Sequence, residues 1–226
     1  MFEKFQLPKT EFPLQLLENF LNESKTSESG LEMRALNSYI ANASYHLEGV
    51  SWTTPNRPLS EYARNNLSFI QSFTYYELKR YFTKRSDMES YLLKYTYAGT
   101  GELKYKGQTY ISNAGDGFLI DCREPHEYRS VAGPWKPVEI HFSGKPAAYI
   151  YSQYISARKY DFHIAPETFH AELEKLLSLH ESVLPYREIQ ISHQLDHILM
   201  MILLHSDNYM EQIKNLPETC AICFHI

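Results

Sequence analysis

The sequence predicts a mostly β chain closed by α structure: an antiparallel β-barrel, then an antiparallel two-helix hairpin, with a short helix at the N-terminus. Two observations carry this. Between Leu67 and Phe142 the chain is dense in Tyr, Phe, Ile, Leu and Thr, and glycine-containing turns interrupt it about every ten residues, which is strand-and-turn texture. After Pro146 the texture changes to apolar residues at helical spacing, in two stretches separated by Pro185. Short turns leave no room for parallel crossovers, so the sheet is expected to be antiparallel.

At the N-terminus, Phe12, Leu16, Leu17, Phe20 and Leu21 fall at helical spacings and predict a short amphipathic helix. The polar run from Asn22 to Gly30 and the run from Thr54 to Pro58 read as loops, so residues 1–66 form a helix and an arm leading into the barrel. The barrel is assigned to residues 67–160, with Gly99 and Gly101 expected in one hairpin turn, Gly107 in the next and Gly115-Asp116 in another. Residues 161–215 hold the hairpin. Its first helix runs from Pro166 to Val183 with Phe169, Leu173, Leu176, Leu177 and His180 on one stripe. Its second, from about Glu188 to Asp207, lines up Ile191, Leu195, Ile198, Leu199, Ile202 and Leu203. Residues 216–226 read as a tail. No internal repeat points to a solenoid or propeller.

Composition narrows the function classes. With 226 residues, 43% hydrophobic and 22% charged, the chain can bury a sizeable core. Its net charge of −5 is the wrong sign for a chain that grips a DNA backbone. No stretch approaches a membrane helix, and the opening Met1-Phe-Glu-Lys-Phe5 lacks the apolar core of a signal peptide, so neither a membrane nor export is expected. Three cysteines, Cys122, Cys220 and Cys223, fit a reducing compartment, and a cytoplasmic location is expected.

A longer pattern emerges from Tyr91-Leu-Leu-Lys-Tyr-Thr-Tyr-Ala-Gly-Thr-Gly101, Leu103-Lys-Tyr-Lys-Gly107, Gly115-Asp-Gly-Phe-Leu-Ile120, Pro125-His-Glu-Tyr128, Trp135 and Ile140-His-Phe-Ser-Gly144. Its order and spacing resemble the ligand-binding and dimerisation half of AraC-family transcription regulators. That resemblance implies a cupin-like, jelly-roll barrel that senses a small molecule, a helical hairpin that pairs two subunits, and a helix-turn-helix half that reads DNA. From Glu188 to Ile226 the chain carries five acidic residues against one basic residue, Lys214, so the DNA-reading half is expected to be missing here.

The candidate chemistry follows. Cupin enzymes hold a metal with a His-x-His pair, a Glu and a later His; the first pair would fall where this chain reads Lys84-Arg-Ser-Asp-Met-Glu89. His126 matches the later histidine and His141 is a second candidate, so a metal-dependent cupin enzyme acting on a sugar-like substrate is the alternative reading. The Cys220-x-x-Cys223 pair with His225 has the spacing of half a zinc site but sits in the tail, and Cys122 reads as a small core residue. Nucleophile elbows and phosphate loops are missing from the sequence, so no enzyme, metal or cofactor is expected.

Binding has more support. The chain has 18 tyrosines, which offer a flat apolar face with a hydroxyl suited to sugars and polyols. The resemblance carries the pocket arginine and tyrosine of the family's arabinose-sensing member onto Arg85 and Tyr128. A pocket histidine and tryptophan become Pro137 and Glu139, with Trp135 nearby, which points to a polar ligand other than arabinose. The expected ligand-facing set is Arg85, Tyr95, His126, Tyr128, Trp135 and Glu139. Two of these have plainer readings: Arg85 in a surface ion pair with Asp87 or Glu89, and Glu139 facing outward. Leu195, Ile198, Leu199, Ile202 and Leu203 are the expected homodimer stripe, and packing on the chain's own barrel would use the same residues.

Overall fold

In the computed structural model, residue 5 and residues 7–12, 43–155 and 159–205 are described. Among them are eight strands: β1 (Lys9–Phe12), β2 (Ala43–Thr53), β3 (Phe69–Arg85), β4 (Tyr91–Tyr105), β5 (Gln108–Ser112), β6 (Asp116–Asp121), β7 (His126–Ser143) and β8 (Asp161–His163). All neighbours pair antiparallel in the order β1-β2-β3-β7-β4-β6-β8, with β5 joined to the far end of β4. The four helices are α1 (Glu61–Asn66), α2 (Lys145–Tyr154), α3 (Pro166–Glu181) and α4 (Arg187–Leu204). None of them is long and apolar enough to cross a membrane.

The sheet begins earlier than residue 67, because β1 and β2 extend it through the segment read as an arm. Phe12 closes β1, and residues 13–21 of the expected helix lie outside the described residues, as does the cysteine-bearing tail. The helix α2 was not legible. Pro146 reads as a break, yet it occupies the first turn of α2, where its missing N–H costs nothing.

Two turns are as expected: Lys106 and Gly107 join β4 to β5, both with positive φ (49° and 77°), the two-residue geometry that suits strand twist, and Gly115, with φ 92°, turns the chain from β5 into β6 at Asp116. The expected turn at Gly99 and Gly101 is not a turn. β4 runs on through both glycines, its register with β7 shifting there. A Cβ on Gly99 would lie 2.1 Å from the Pro134 carbonyl oxygen, and one on Gly101 would lie 2.2 Å from the Trp135 ring. These glycines permit close approach of β7 rather than chain reversal. Ala132-Gly133-Pro134 also lies inside β7 rather than between strands, and there Gly133 takes a positive φ of 65° with open space where a Cβ would sit.

Strand alternation divides the buried side chains between two faces. One face, carrying Phe73, Leu93, Tyr95, Val138, Ile140 and Phe142, packs against α2, α3 and α4. The other encloses an interior lined by Leu78, Tyr81, Leu92, Leu103, Phe118, Tyr128 and Trp135. The expected dimer stripe belongs to the first. Leu195, Ile198, Leu199 and Ile202 are at most 1% exposed within a single chain, and Leu203 packs against the same core. Helical spacing shows that a stripe will be covered but not by what, and here the chain's own α2, α3 and β3 cover it. Met200 and Leu204 remain exposed on α4.

Candidate functional site

Three long strands bring charged side chains into the barrel interior. On β3, alternation places Tyr81, Thr83 and Arg85 inward; on β4, Leu92, Lys94 and Thr96; on β7, His126 and Tyr128, then Trp135, Glu139 and His141 beyond the irregular stretch. Register sets the partners, since Lys94 lies opposite Glu139 and Arg85 opposite His126.

Glu139 is the hub. Its Oε2 accepts from Lys94 Nζ at 2.6 Å, its Oε1 lies 3.1 Å from His141 Nε2, and Arg85 Nη2 stands 3.8 Å away. Arg85 donates from Nε to His126 Nε2 at 3.1 Å and from Nη2 to the Tyr128 hydroxyl, and Nη2 lies 3.2 Å from His141 Nε2. His126 Nδ1 lies 2.8 Å from the Glu124 carbonyl oxygen, which makes Nδ1 the protonated nitrogen and frees Nε2 to accept from Arg85. Ser90 Oγ is 3.1 Å from His141 Nδ1 and anchors that ring.

The Lys94 ammonium also sits in an aromatic cage. It lies 3.8 Å from the ring centroid of Tyr128, 4.5 Å from that of Tyr81 and 4.9 Å from that of Trp135, each within cation–π range. Trp135 is held by a hydrogen bond from Nε1 to Thr96 Oγ1 at 3.0 Å.

Burial would push the Glu139 carboxyl up, but Lys94, His141 and Arg85 together hold it well below the usual carboxylate range. Burial lowers Lys94 to about 8 against the opposing pull of Glu139, so the pair is ionised at neutral pH. Burial, reinforced by the Arg85 charge, lowers His126 to about 4, and burial also lowers His141. Both imidazoles are therefore neutral near pH 7. Burial pushes Cys122 up to about 12, so it remains a thiol.

Of the expected ligand-facing residues, Arg85, His126, Tyr128, Trp135 and Glu139 converge. Neither of the plainer readings holds, since Arg85 is not at the surface and Glu139 does not face outward. Tyr95 stands apart: one residue out of phase with Lys94, it faces the helices, packs on Phe162 and Phe169, and donates to the Ile164 carbonyl. Lys94 and Tyr81 were missed. The signal for Lys94 was a lone charge in Tyr91-Leu-Leu-Lys-Tyr, a run too apolar to be solvated on either face.

The donor set does not fit a cupin metal. The two imidazole nitrogens that would ligate it, Nε2 of His126 and Nε2 of His141, both face the Arg85 guanidinium, a cation where a cation would have to bind. Among the described residues no group of three or more His, Cys, Asp or Glu side chains is placed to hold a metal ion.

A family model described as the AraC-like ligand binding domain matches residues 71–212. The chain belongs to this family. Its match takes in the interior network and the helices α2, α3 and α4 of this AraC-like domain. Among solved structures, the AraC-like transcriptional activator CuxR is similar in fold over 76% of this chain and 66% of that one, with TM-score 0.55 and 6% identity. The chain thus spans just under two thirds of CuxR. YhaK from Escherichia coli is similar over 42% of this chain and 45% of that one, at 11% identity and TM-score 0.37. A cupin 2 conserved barrel domain protein from Leptotrichia buccalis is similar over 42% and 40%, at 20% identity and TM-score 0.33. Among curated protein sequences none matches the chain.

Proposed function

We propose that this AraC-like domain is the effector-sensing part of a transcription regulator. It takes a small polar ligand, a sugar or polyol, among Arg85, Lys94, Tyr128, Trp135 and Glu139, and acts on DNA only through a helix-turn-helix domain. The observation that carries the reading is the fully buried charged network in the barrel interior. A core that needed only stability would favour apolar residues there, because taking charges out of water costs several kcal/mol per ion. Charged and hydroxyl groups in an enclosed aromatic setting are what recognition of ligand hydroxyls requires.

The geometry also supplies a route for the signal. Lys94 and Glu139 point inward, while the next residues on the same strands, Tyr95 and Val138, pack against the helices. A ligand that competes for Glu139 or Arg85 would favour one arrangement of β4 and β7, and α3 and α4 ride on their outer face. In this reading the homodimer forms through the exposed side of α4, around Met200 and Leu204, because the stripe beneath is committed to the core.

Thermal unfolding against a panel of mono- and disaccharides, with and without a strong chelator, tests the reading. At 100 times its dissociation constant a ligand adds about 2.7 kcal/mol, a shift of several degrees for a protein of this size. The expected result is a shift specific to one sugar or polyol, indifferent to chelator and reduced in Tyr128→Phe. A midpoint lowered by chelator alone would favour the metal-dependent alternative.

A further inference from the structure

We propose that the groove between the 54–60 loop, α1 and the start of α4 is a binding site for a phosphate group, free or carried on a small metabolite, separate from the barrel interior. The groove has a volume of about 710 Å³, within the range of small-molecule sites. Arg57 from the loop, Arg64 from α1 and Arg187 from the first turn of α4 all line it. Arg57 donates from Nη2 to the Glu181 carbonyl oxygen at 3.3 Å, which leaves its Nε buried without a partner. Among the described residues no carboxylate lies within ion-pair distance of Arg64 or Arg187.

A second, independent observation lies in the same groove. His180, near the C-terminus of α3, is only 7% exposed, and its Nδ1 has no hydrogen-bond partner. Burial and then the charges of Arg57 and Arg187 lower this imidazole to about 4, so it is neutral near pH 7. Three carboxylates stand near. Glu188 has both oxygens engaged by Ser60, one by its N–H at 2.7 Å and one by its hydroxyl. Glu181 Oε1 is 3.9 Å from His180 Nδ1, beyond hydrogen-bond reach, and is itself unsatisfied. The third carboxylate, Asp196, accepts from the hydroxyl of Ser68, which lines the groove, so each nearby carboxylate other than Glu181 is engaged by a serine while, among the described residues, the Arg64 and Arg187 guanidiniums have no carboxylate partner.

Guanidinium forks arriving from three elements suit a tetrahedral group with several oxygens better than a planar carboxylate. The start of α4 adds to this, since Tyr186 offers its free N–H groups no side-chain cap. Phe69 and Ile191 line the groove and could seat the organic part of an ester.

Isothermal titration of the full chain with glycerol 1-phosphate and with inorganic phosphate, at constant ionic strength, tests the proposal, with glycerol as the uncharged comparator. Saturable binding of the phosphate compounds but not of glycerol is expected. Arg64→Gln and Arg187→Gln should each weaken it at least about tenfold, the loss of one charge-assisted contact. Arg80→Gln, at an exposed arginine on β3 outside the groove, should leave it unchanged. Both groove substitutions lie at the surface, and unchanged melting points would show that the fold is retained. Tighter binding of the ester would identify a phosphorylated metabolite as the source, and equal binding would identify free phosphate. Absence of saturable binding at millimolar concentration, or binding indifferent to both groove substitutions, would overturn the proposal. So would binding of duplex DNA, without the ester, that the same substitutions abolish.

Discussion

Glu139→Leu is expected to destabilise the protein by about 3–5 kcal/mol, the loss typical when one member of a buried ion pair is removed. The carboxylate is 2.6 Å from Lys94 Nζ and 3.8 Å from Arg85 Nη2, so its removal strands an ammonium and weakens the setting of a guanidinium, both buried. At about 2–4 °C per kcal/mol, the melting point should fall by roughly 10 °C. The effect belongs to the pair, so the double substitution Lys94→Met with Glu139→Leu should recover most of the loss, an apolar pair being tolerated where a lone charge is not. Urea denaturation of the single and double variants reads this directly. A single variant as stable as the parent would mean that Lys94 sheds its proton or leaves the cage.

A steep loss of stability is expected as the pH falls from about 6.5 to about 4. His126 and His180 are each lowered from 6.5 to about 4, so over that window the unfolded chain binds protons that the folded chain does not. Stability therefore rises with pH across the window, and its loss is complete below the folded values. Both residues are buried, and the shifts correspond to about 3 kcal/mol each. Glu139, held low in the folded state, adds to the loss in the same direction as it is protonated. At the alkaline end Lys94 behaves as the histidines do: lowered to about 8, it imposes a penalty that is relieved as the pH rises from about 8 toward 10.5. Denaturant midpoints measured from pH 4 to pH 10 should climb at both ends. His126→Asn and His180→Asn should each flatten the acidic limb, whereas an unchanged slope in both would mean that these imidazoles are solvated in the folded protein.

Much of the fold was legible because its signals are local. A stretch dense in Tyr, Phe, Ile, Leu and Thr, punctuated by glycine turns, announced the antiparallel sheet, and the two helical stripes marked α3 and α4 to within a few residues. Gly99 and Gly101 were misread because a glycine that admits a neighbouring strand looks, in sequence, like one that turns the chain; only Trp135, 34 residues beyond Gly101, distinguishes them. In the site, the face of each strand decided the outcome. Arg85 and Tyr128 were reached through the resemblance, yet Tyr95 and Lys94 are adjacent and point oppositely, and composition favoured the tyrosine. Register could not be read at all: nothing in the sequence pairs Lys94 with Glu139, which is a long-range consequence of β7 lying between β3 and β4. The dimer stripe was ambiguous for a different reason, since an apolar helix face is equally satisfied by a partner or by its own sheet.

The central claim is that the effector enters the barrel interior, and Trp135 reports on it most directly. With Trp52→Phe, Trp135 is the only tryptophan of the chain, buried 4.9 Å from the Lys94 ammonium. Titration of this variant with the ligand that raises the melting point is expected to give a saturable change in Trp135 emission. Its midpoint should weaken at least about tenfold when Tyr128→Phe or Lys94→Met is added. A ligand that stabilises the chain while leaving Trp135 emission unchanged, and binds both interior variants as well as the parent, would contradict the claim and place the effector elsewhere.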